Sequence, residues 1–136
     1  MPEEFDFHAM QAQGNTAGVP NLYVLTMTPL PLTPDSDTAS GDPTPLGVHY
    51  AYIDRLVRQG KILAIGPCMG EPRTPGYAPV PPGLGILNVA TLEEAEEIAR
   101  DEPFHVMGWR HNTVTTWTPK FGDLIEVLRD TATGNR

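Results

Sequence analysis

The sequence TLEEAEEIARDEPF, residues 91–104, contains both the start of a helix and the signal that ends it. Thr91 is followed by a glutamate three residues later, which is the spacing of a capping box and predicts a first helical turn. Pro103 predicts the end, because the residue before a proline avoids helical backbone angles. Glu102 shares the apolar face of this helix with Ile98. The segment therefore predicts an amphipathic helix whose last acidic side chain points toward the core.

A second amphipathic helix is predicted over residues 44–59, opened by a threonine–proline pair and ended by Gly60. His49 lies on its apolar face, at helical spacing from Ile53 and Leu56. A histidine and a carboxylate that both face a core must find hydrogen-bond partners, and each suits the other. The sequence therefore predicts a contact between His49 and Glu102.

Strand patterns surround the two helices. Segments rich in apolar and β-branched residues, or alternating in polarity, predict strands over residues 22–28, 61–66, 83–89 and 110–118. The resulting order, β-α-β-β-α-β, is that of a ferredoxin-like α+β fold: a four-stranded antiparallel sheet with two helices on one face. An extra amphipathic helix is predicted over residues 121–128.

The first three strands are apolar on both faces. In the second strand, alternation places Leu63 and Ile65 opposite Ile62 and Ala64. Two helices cover only one face of a four-stranded sheet, and an uncovered apolar face is unfavourable in water. We therefore expect a homodimer in which the sheets of two copies pack face to face.

The pattern divides the chain into three parts. Residues 1–20 lack sustained periodicity and are expected to be a tail with one ordered turn around Phe5 and Phe7. Residues 21–120 form the ferredoxin-like domain, and residues 121–136 form a C-terminal helix and tail. Two proline-rich loops, 29–43 and 67–82, interrupt the domain, and loops of this length are often lids or binding loops.

Composition excludes several classes of partner. The formal net charge is −8 and no basic cluster is present, which argues against nucleic acid or an anionic membrane surface as a partner. No run of about eighteen apolar residues is present that would span a bilayer. Cys68 is the only cysteine, which fits a reducing compartment. We expect a cytoplasmic protein.

Several segments together carry a family resemblance: a histidine early in the first helix, the strand GKILAIGP at residues 60–67, and the turn formed by Glu102, Pro103 and Phe104. In this order and at these separations they resemble the YciI-like (YCII-related) family of the dimeric α/β-barrel superfamily. The resemblance covers residues 21–120. It implies a ferredoxin-like homodimer with a histidine–carboxylate centre at a cleft.

The resemblance also implies an activity. One family relative is a dehydrochlorinase of a chlorinated hydroxyhydroquinone, and muconolactone isomerase shares the wider superfamily, so the resemblance implies a lyase or isomerase. The sequence contains no cofactor-binding fingerprint, so we expect no cofactor. The family histidine corresponds to His49, as general acid or base. The family aspartate directly precedes the proline and corresponds to Glu102, which departs from the family pattern. Asp101, one position earlier, is the alternative carboxylate. The expected ligand is a small organic molecule, aromatic or lactone.

Other interpretations remain open at this level. The same dimer could bind a small metabolite without turnover, as a sensor or accessory subunit, or it could serve as an interaction protein. His105 and His111 suggest a metal site together with His49, but their spacing matches no metal-binding motif. Trp109 and Trp117 could line a pocket, or they could fill the core or an interface.

Overall fold

The computed structural model describes residues 4–14, 21–31, 44–69 and 75–132. Most of the predicted loop 29–43, and part of the loop 67–82, lie outside these residues. The chain divides into two compact units. One is Tyr23–Thr116; the other combines Met1–Leu22 with Trp117–Arg136. No helix in the described part of the chain is long and apolar enough to span a bilayer.

The larger unit has the predicted order of elements. The helices and strands of the chain are α1 (Phe7–Gln13), β1 (Leu22–Pro29), α2 (Thr44–Arg58), β2 (Ile62–Pro67), β3 (Gly83–Leu87), α3 (Leu92–Asp101), α4 (Pro103–Val106), β4 (Arg110–Trp117) and α5 (Leu124–Ala132). The four strands form one antiparallel sheet in the order β2-β3-β1-β4. This is the ferredoxin-like arrangement that the sequence predicts, with the short helix α4 added between α3 and β4.

The core lies between the sheet and the helices α2 and α3. Leu25 of β1 and Leu87 of β3 are fully buried and pack with Leu56 of α2 and Ile98 of α3. Burial of one such side chain stabilises the folded state by roughly 1.5–3 kcal/mol, so this layer supplies much of the hydrophobic stabilisation. Both long helices therefore lie on one face of the sheet, as predicted.

The strict alternation predicted for β2 is wrong. The register between β2 and β3 shifts between Ile62 and Ala64, so the strand contains a bulge. As a result, Ile62 and Ile65 both pack against the core cluster, although they are three residues apart. A bulge adds one residue to a strand and resets which face the following side chains occupy. Leu63, at the irregularity, is exposed.

The smaller unit contains α1, which we did not predict. Its first turn begins at Asp6, whose side chain accepts a hydrogen bond from the backbone N–H of Ala9 at 3.0 Å. The helix ends at Gly14, where a Cβ atom would lie 2.9 Å from Cζ of Phe121. A side chain at this position would therefore require the exposed ring of Phe121 to move. In α5, which begins three residues later than predicted, Leu128 is buried.

Candidate active site

The two predicted site residues meet in the larger unit. Nδ1 of His49, on α2, forms a hydrogen bond with Oε1 of Glu102, at the junction of α3 and α4. Glu102 is 0% exposed and His49 is 8% exposed. Fifty-three positions separate the two residues along the chain, so the contact depends on α2 and α3 lying side by side on the sheet.

The backbone around Glu102 fixes its carboxylate. Glu102 has extended backbone angles, which end α3, and its side chain caps the N-terminus of α4. Oε1 accepts from the N–H of Phe104 at 3.1 Å, and Oε2 accepts from the N–H of His105 at 3.0 Å. Pro103 occupies the first position of α4, where its missing N–H costs nothing. The Glu-Pro-Phe turn therefore holds the carboxylate in one orientation.

Asn112 of β4 is a third member of the cluster, which the sequence pattern did not predict. Its Nδ2 donates to Oε2 of Glu102 and to the carbonyl of Ala99, both at 2.9 Å. Its backbone N–H donates to Nδ1 of His105 at 3.1 Å. Its Oδ1 is buried without a hydrogen-bond partner in the described part of the chain. The available signal was an amide on the inward-facing side of β4, where an apolar residue is usual.

Hydrogen bonding decides the charge of Glu102. Burial alone would raise the pKa of the carboxyl, because it disfavours the charged form. The hydrogen bonds from His49, Asn112 and the N–H of Phe104 act in the opposite direction and hold the pKa of Glu102 below its usual range. Glu102 is therefore an ionised acceptor at neutral pH, and donors occupy both of its oxygens.

Aromatic contacts orient the imidazole. The ring of His49 stacks on Phe104, with 4.2 Å between centroids and 11° between planes. Phe104 in turn stacks on Trp109 at 5.3 Å, and Trp109 is buried in a second apolar cluster. Because Nδ1 of His49 is engaged by Glu102, Nε2 is the nitrogen that remains for a ligand. The imidazole is thus held by a carboxylate at one nitrogen and by stacking along its plane.

A cavity of about 400 Å³ adjoins this ring, within the larger unit. Its volume suits a small organic ligand. The wall is mainly apolar, with a few polar groups. The described residues that line it are Met27, Leu46, His49, Tyr50, Ile53, Ile65, Gly66, Pro67, Pro79, Val80, Pro81, Phe104 and Arg110. His49 is therefore a titratable group on the wall of a ligand-sized cavity.

The alternative carboxylate lies elsewhere. Asp101 is exposed and lines a different depression, together with Tyr52 and Lys61. Tyr52 donates its hydroxyl hydrogen to the carbonyl of Ile98 at 2.9 Å. Burial, with a further contribution from the charge of Asp101, raises the pKa of Tyr52 to about 12. The structure thus brings Glu102, and not Asp101, into contact with His49.

The remaining candidate residues do not line the cavity beside His49. The rings of His105 and His111 lie 5.6 Å apart, but Nδ1 of His105 accepts the hydrogen bond from Asn112. In the described residues, no group of three or more histidine, cysteine, aspartate or glutamate side chains is placed to hold a metal ion. Trp117 is partly exposed at the end of β4 and does not line the cavity.

Comparison with known proteins identifies a structure with a similar fold and a family. No curated protein matches the sequence. Among solved structures, the chain is similar to 5-chloro-2-hydroxyhydroquinone dehydrochlorinase from Burkholderia phenoliruptrix, solved in complex with 2,5-dihydroxybenzoquinone. The TM-score is 0.50 at 20% identity, over 71% of this chain and 93% of that chain, so the two proteins share a fold. The family model of the YCII-related domain matches residues 24–118, and the chain belongs to this family.

Proposed function

We propose that this protein is a cofactor-independent enzyme acting on a small organic molecule, a lyase of the dehydrochlorinase type or an isomerase. His49 is the acid–base residue, and Glu102 is the carboxylate that positions it. The observation that carries the proposal is the hydrogen bond from His49 to a buried, ionised carboxylate at the wall of a ligand-sized cavity. Histidine is the commonest side chain for proton transfer near neutral pH.

The arrangement defines the direction of proton transfer. An ionised carboxylate can only accept, so Nδ1 of His49 carries the hydrogen that Glu102 receives. The lone pair of a neutral imidazole then lies on Nε2, which is the base. After His49 takes a proton from a carbon next to a carbonyl, Glu102 stabilises the imidazolium. The proton can return to another carbon, giving isomerisation, or a leaving group can depart, giving elimination.

Two further features support this assignment. The chain belongs to the YCII-related family, and a dehydrochlorinase with a ring-shaped ligand has the same fold. Because one fold can support many reactions, the assignment depends on the geometry of the site.

We also propose that the protein is a homodimer. Its lone cysteine, Cys68, is a free thiol, and we therefore propose that it acts in the reducing cytoplasm.

The test is turnover of chlorinated hydroquinones, followed by chloride release, and of unsaturated lactones, followed by absorbance. His49→Gln should lower kcat by a factor of about 10² to 10⁴, which is the usual contribution of a positioned acid–base residue. His111→Gln, at an exposed histidine outside the cavity, should leave kcat unchanged. Equal turnover by His49→Gln and the parent protein would exclude His49 as the acid–base residue.

The same assay decides which carboxylate acts. Glu102→Gln should reduce kcat, because an amide at this position no longer offers a charged partner to the imidazolium. Asp101→Asn should not, because Asp101 is exposed and lines another depression. If a compound binds with the same affinity to the parent and to His49→Gln, and no compound is turned over, the alternative function applies: a metabolite-binding or accessory dimer.

A further inference from the structure

Arg110, the first residue of β4, lines the cavity but takes no part in the proton transfer proposed above. Its side chain is buried, and the residue is only 5% exposed. Nε and Nη2 both donate to the carbonyl of Pro81, at 3.1 and 2.6 Å. Nη1 lies 3.7 Å from Sδ of Met27, which is a weak acceptor. The guanidinium is thus fixed in position by neutral groups.

The guanidinium retains unused hydrogen-bonding capacity. It has five N–H donors, and the carbonyl of Pro81 and the sulfur of Met27 take three of them. One N–H on each terminal nitrogen has no partner among the residues that the structure describes. Glu102 has no free oxygen position for them, because both of its oxygens already accept two hydrogen bonds.

Among the described residues, Arg110 also lacks a direct counterion. Within residues 4–14, 21–31, 44–69 and 75–132, no carboxylate lies within ion-pair distance of it. The ring of Phe104, 5.1 Å from the guanidinium carbon, compensates in part through a cation–π contact. Burial lowers the pKa of Arg110, and the more distant charge of Glu102 opposes this shift. A buried cation with no acidic partner is unusual unless a ligand supplies the anion.

We propose that Arg110 binds an anionic oxygen of the ligand, so that the cavity selects small ring compounds with a carboxylate or an ionised hydroxyl over their neutral analogues. The rest of the wall is mainly apolar, which suits the carbon skeleton of such a ring. Each terminal nitrogen has one N–H left, and arginine often binds a carboxylate through two such donors.

The inference rests on the proposed function in one respect: it takes this cavity to be the substrate site. His49 stacks on Phe104 at 4.2 Å, and Arg110 lies 5.1 Å from the centre of the same ring. Both side chains also line this cavity, so we expect one small ring to place its anionic oxygen at Arg110 and a carbon near Nε2 of His49. Arg110 would then stabilise the negative charge that develops on the ring when His49 removes a proton.

Binding is measured by isothermal titration calorimetry at pH 7 with a matched pair of probes, 2,5-dihydroxybenzoate and 2,5-dihydroxybenzamide. The full-length protein should bind the acid at least about tenfold more tightly, which is the usual effect of a charge-assisted hydrogen bond. Arg110→Met should abolish this preference. Arg100→Met, which removes the same charge from the exposed face of α3, should retain it.

Equal affinity of the parent protein for acid and amide would overturn the proposal, and so would no binding of either probe at millimolar concentration. These results need only the parent protein, so the test stands even where Arg110→Met does not fold. His49→Ala separates this inference from the proposed function. It should lose turnover and keep the preference for the acid, so a failed turnover assay and a failed binding assay point to different errors.

Discussion

At the scale of single residues, the site is organised around the carboxylate of Glu102. Its four hydrogen-bond donors come from α2, from the first turn of α4 and from β4. A carboxylate can accept about four hydrogen bonds, so this one is saturated. The lowered pKa of Glu102 follows from these bonds, since each favours the charged form. The residue therefore links His49 of α2 to α4 and β4.

This saturation predicts a dependence of stability on pH. Because the pKa of Glu102 is lower in the folded than in the unfolded state, its contribution is present above the unfolded value of about 4.3. The contribution is lost as the pH falls through the folded value. Glu102→Gln should therefore lower the free energy of unfolding by about 2–4 kcal/mol at pH 7, and by less at pH 3.

Urea unfolding at several pH values between 3 and 7 measures this difference. The control is Glu96→Gln, at an exposed glutamate on the same helix, which should change the free energy of unfolding by less than about 0.5 kcal/mol at every pH. A deficit of Glu102→Gln that stays constant from pH 7 to pH 3 would contradict the prediction.

Asn112→Asp tests the same hydrogen-bond network by replacing a donor to Glu102. The substitution keeps the shape of the side chain but places a second carboxylate against Oε2 of Glu102 and removes the donor to Ala99. At pH 7 we expect a loss of about 2–4 kcal/mol in the free energy of unfolding. The like charges raise the pKa of the pair, so the deficit should shrink toward pH 5 as one carboxyl takes up a proton. Asn88→Asp, directly after β3, is the control.

At the scale of elements, the end of α3 and the start of α4 form one structural unit. Extended angles at Glu102 stop one helix, and the side chain of the same residue caps the next. The other end of α3 is capped by Thr91, whose hydroxyl accepts from the N–H of Glu94 at 3.1 Å. Both ends of α3 are therefore encoded locally, and Thr91 offers a change far from His49 and Glu102.

Thr91→Ala should destabilise the protein by about 1 kcal/mol, which is the usual effect of losing an N-cap side chain. Thr91→Ser should keep the hydroxyl and restore most of the stability. Both variants should have an unchanged kcat, because the cap lies at the opposite end of α3 from Glu102. Urea unfolding and turnover assays check the two expectations. If Thr91→Ala lost activity under conditions in which the variant is fully folded, the start of α3 would be shown to influence the site.

At the scale of the whole molecule, the face of the sheet that α2 and α3 do not cover determines the oligomeric state that we expect. Val24 lies beside Ile86 and Thr26 beside Leu84, on the side that α2 and α3 do not cover. Leu84 is 45% exposed. Apolar side chains on an open sheet face favour packing against another surface, and a two-fold axis allows each copy to cover the other.

We therefore expect the protein to be a dimer at micromolar concentration, and Leu84→Glu to shift it to monomers. The added carboxylate would have to be buried against the partner sheet, which is strongly unfavourable. Val57→Glu is the control, because Val57 is similarly exposed but lies on α2. Analytical ultracentrifugation measures both masses. A monomeric parent protein, or an unchanged mass for Leu84→Glu, would contradict the packing of two sheets.

The sequence by itself determined the four strands, the two long helices and half of the site, but not the short helices α1 and α4. Periodicity located the strands and the long helices, and cap and proline signals located the ends of α3, because these signals are local. Local signals also placed His49 and Glu102 on apolar faces, where each is a suitable hydrogen-bond partner for the other. The sequence pattern did not predict the bulge in β2, because a register shift depends on the neighbouring strand as well as on the pattern of β2 itself.

Only the tertiary structure decided which carboxylate meets His49, and that Asn112 and Arg110 join the site. Asp101 and Glu102 are adjacent in sequence, and their different exposure follows from the change of direction at Pro103. Asn112 and Arg110 lie on the inward side of β4, opposite elements that are distant along the chain. Hydrogen bonds between such elements form only once the sheet has assembled, so no local pattern encodes them.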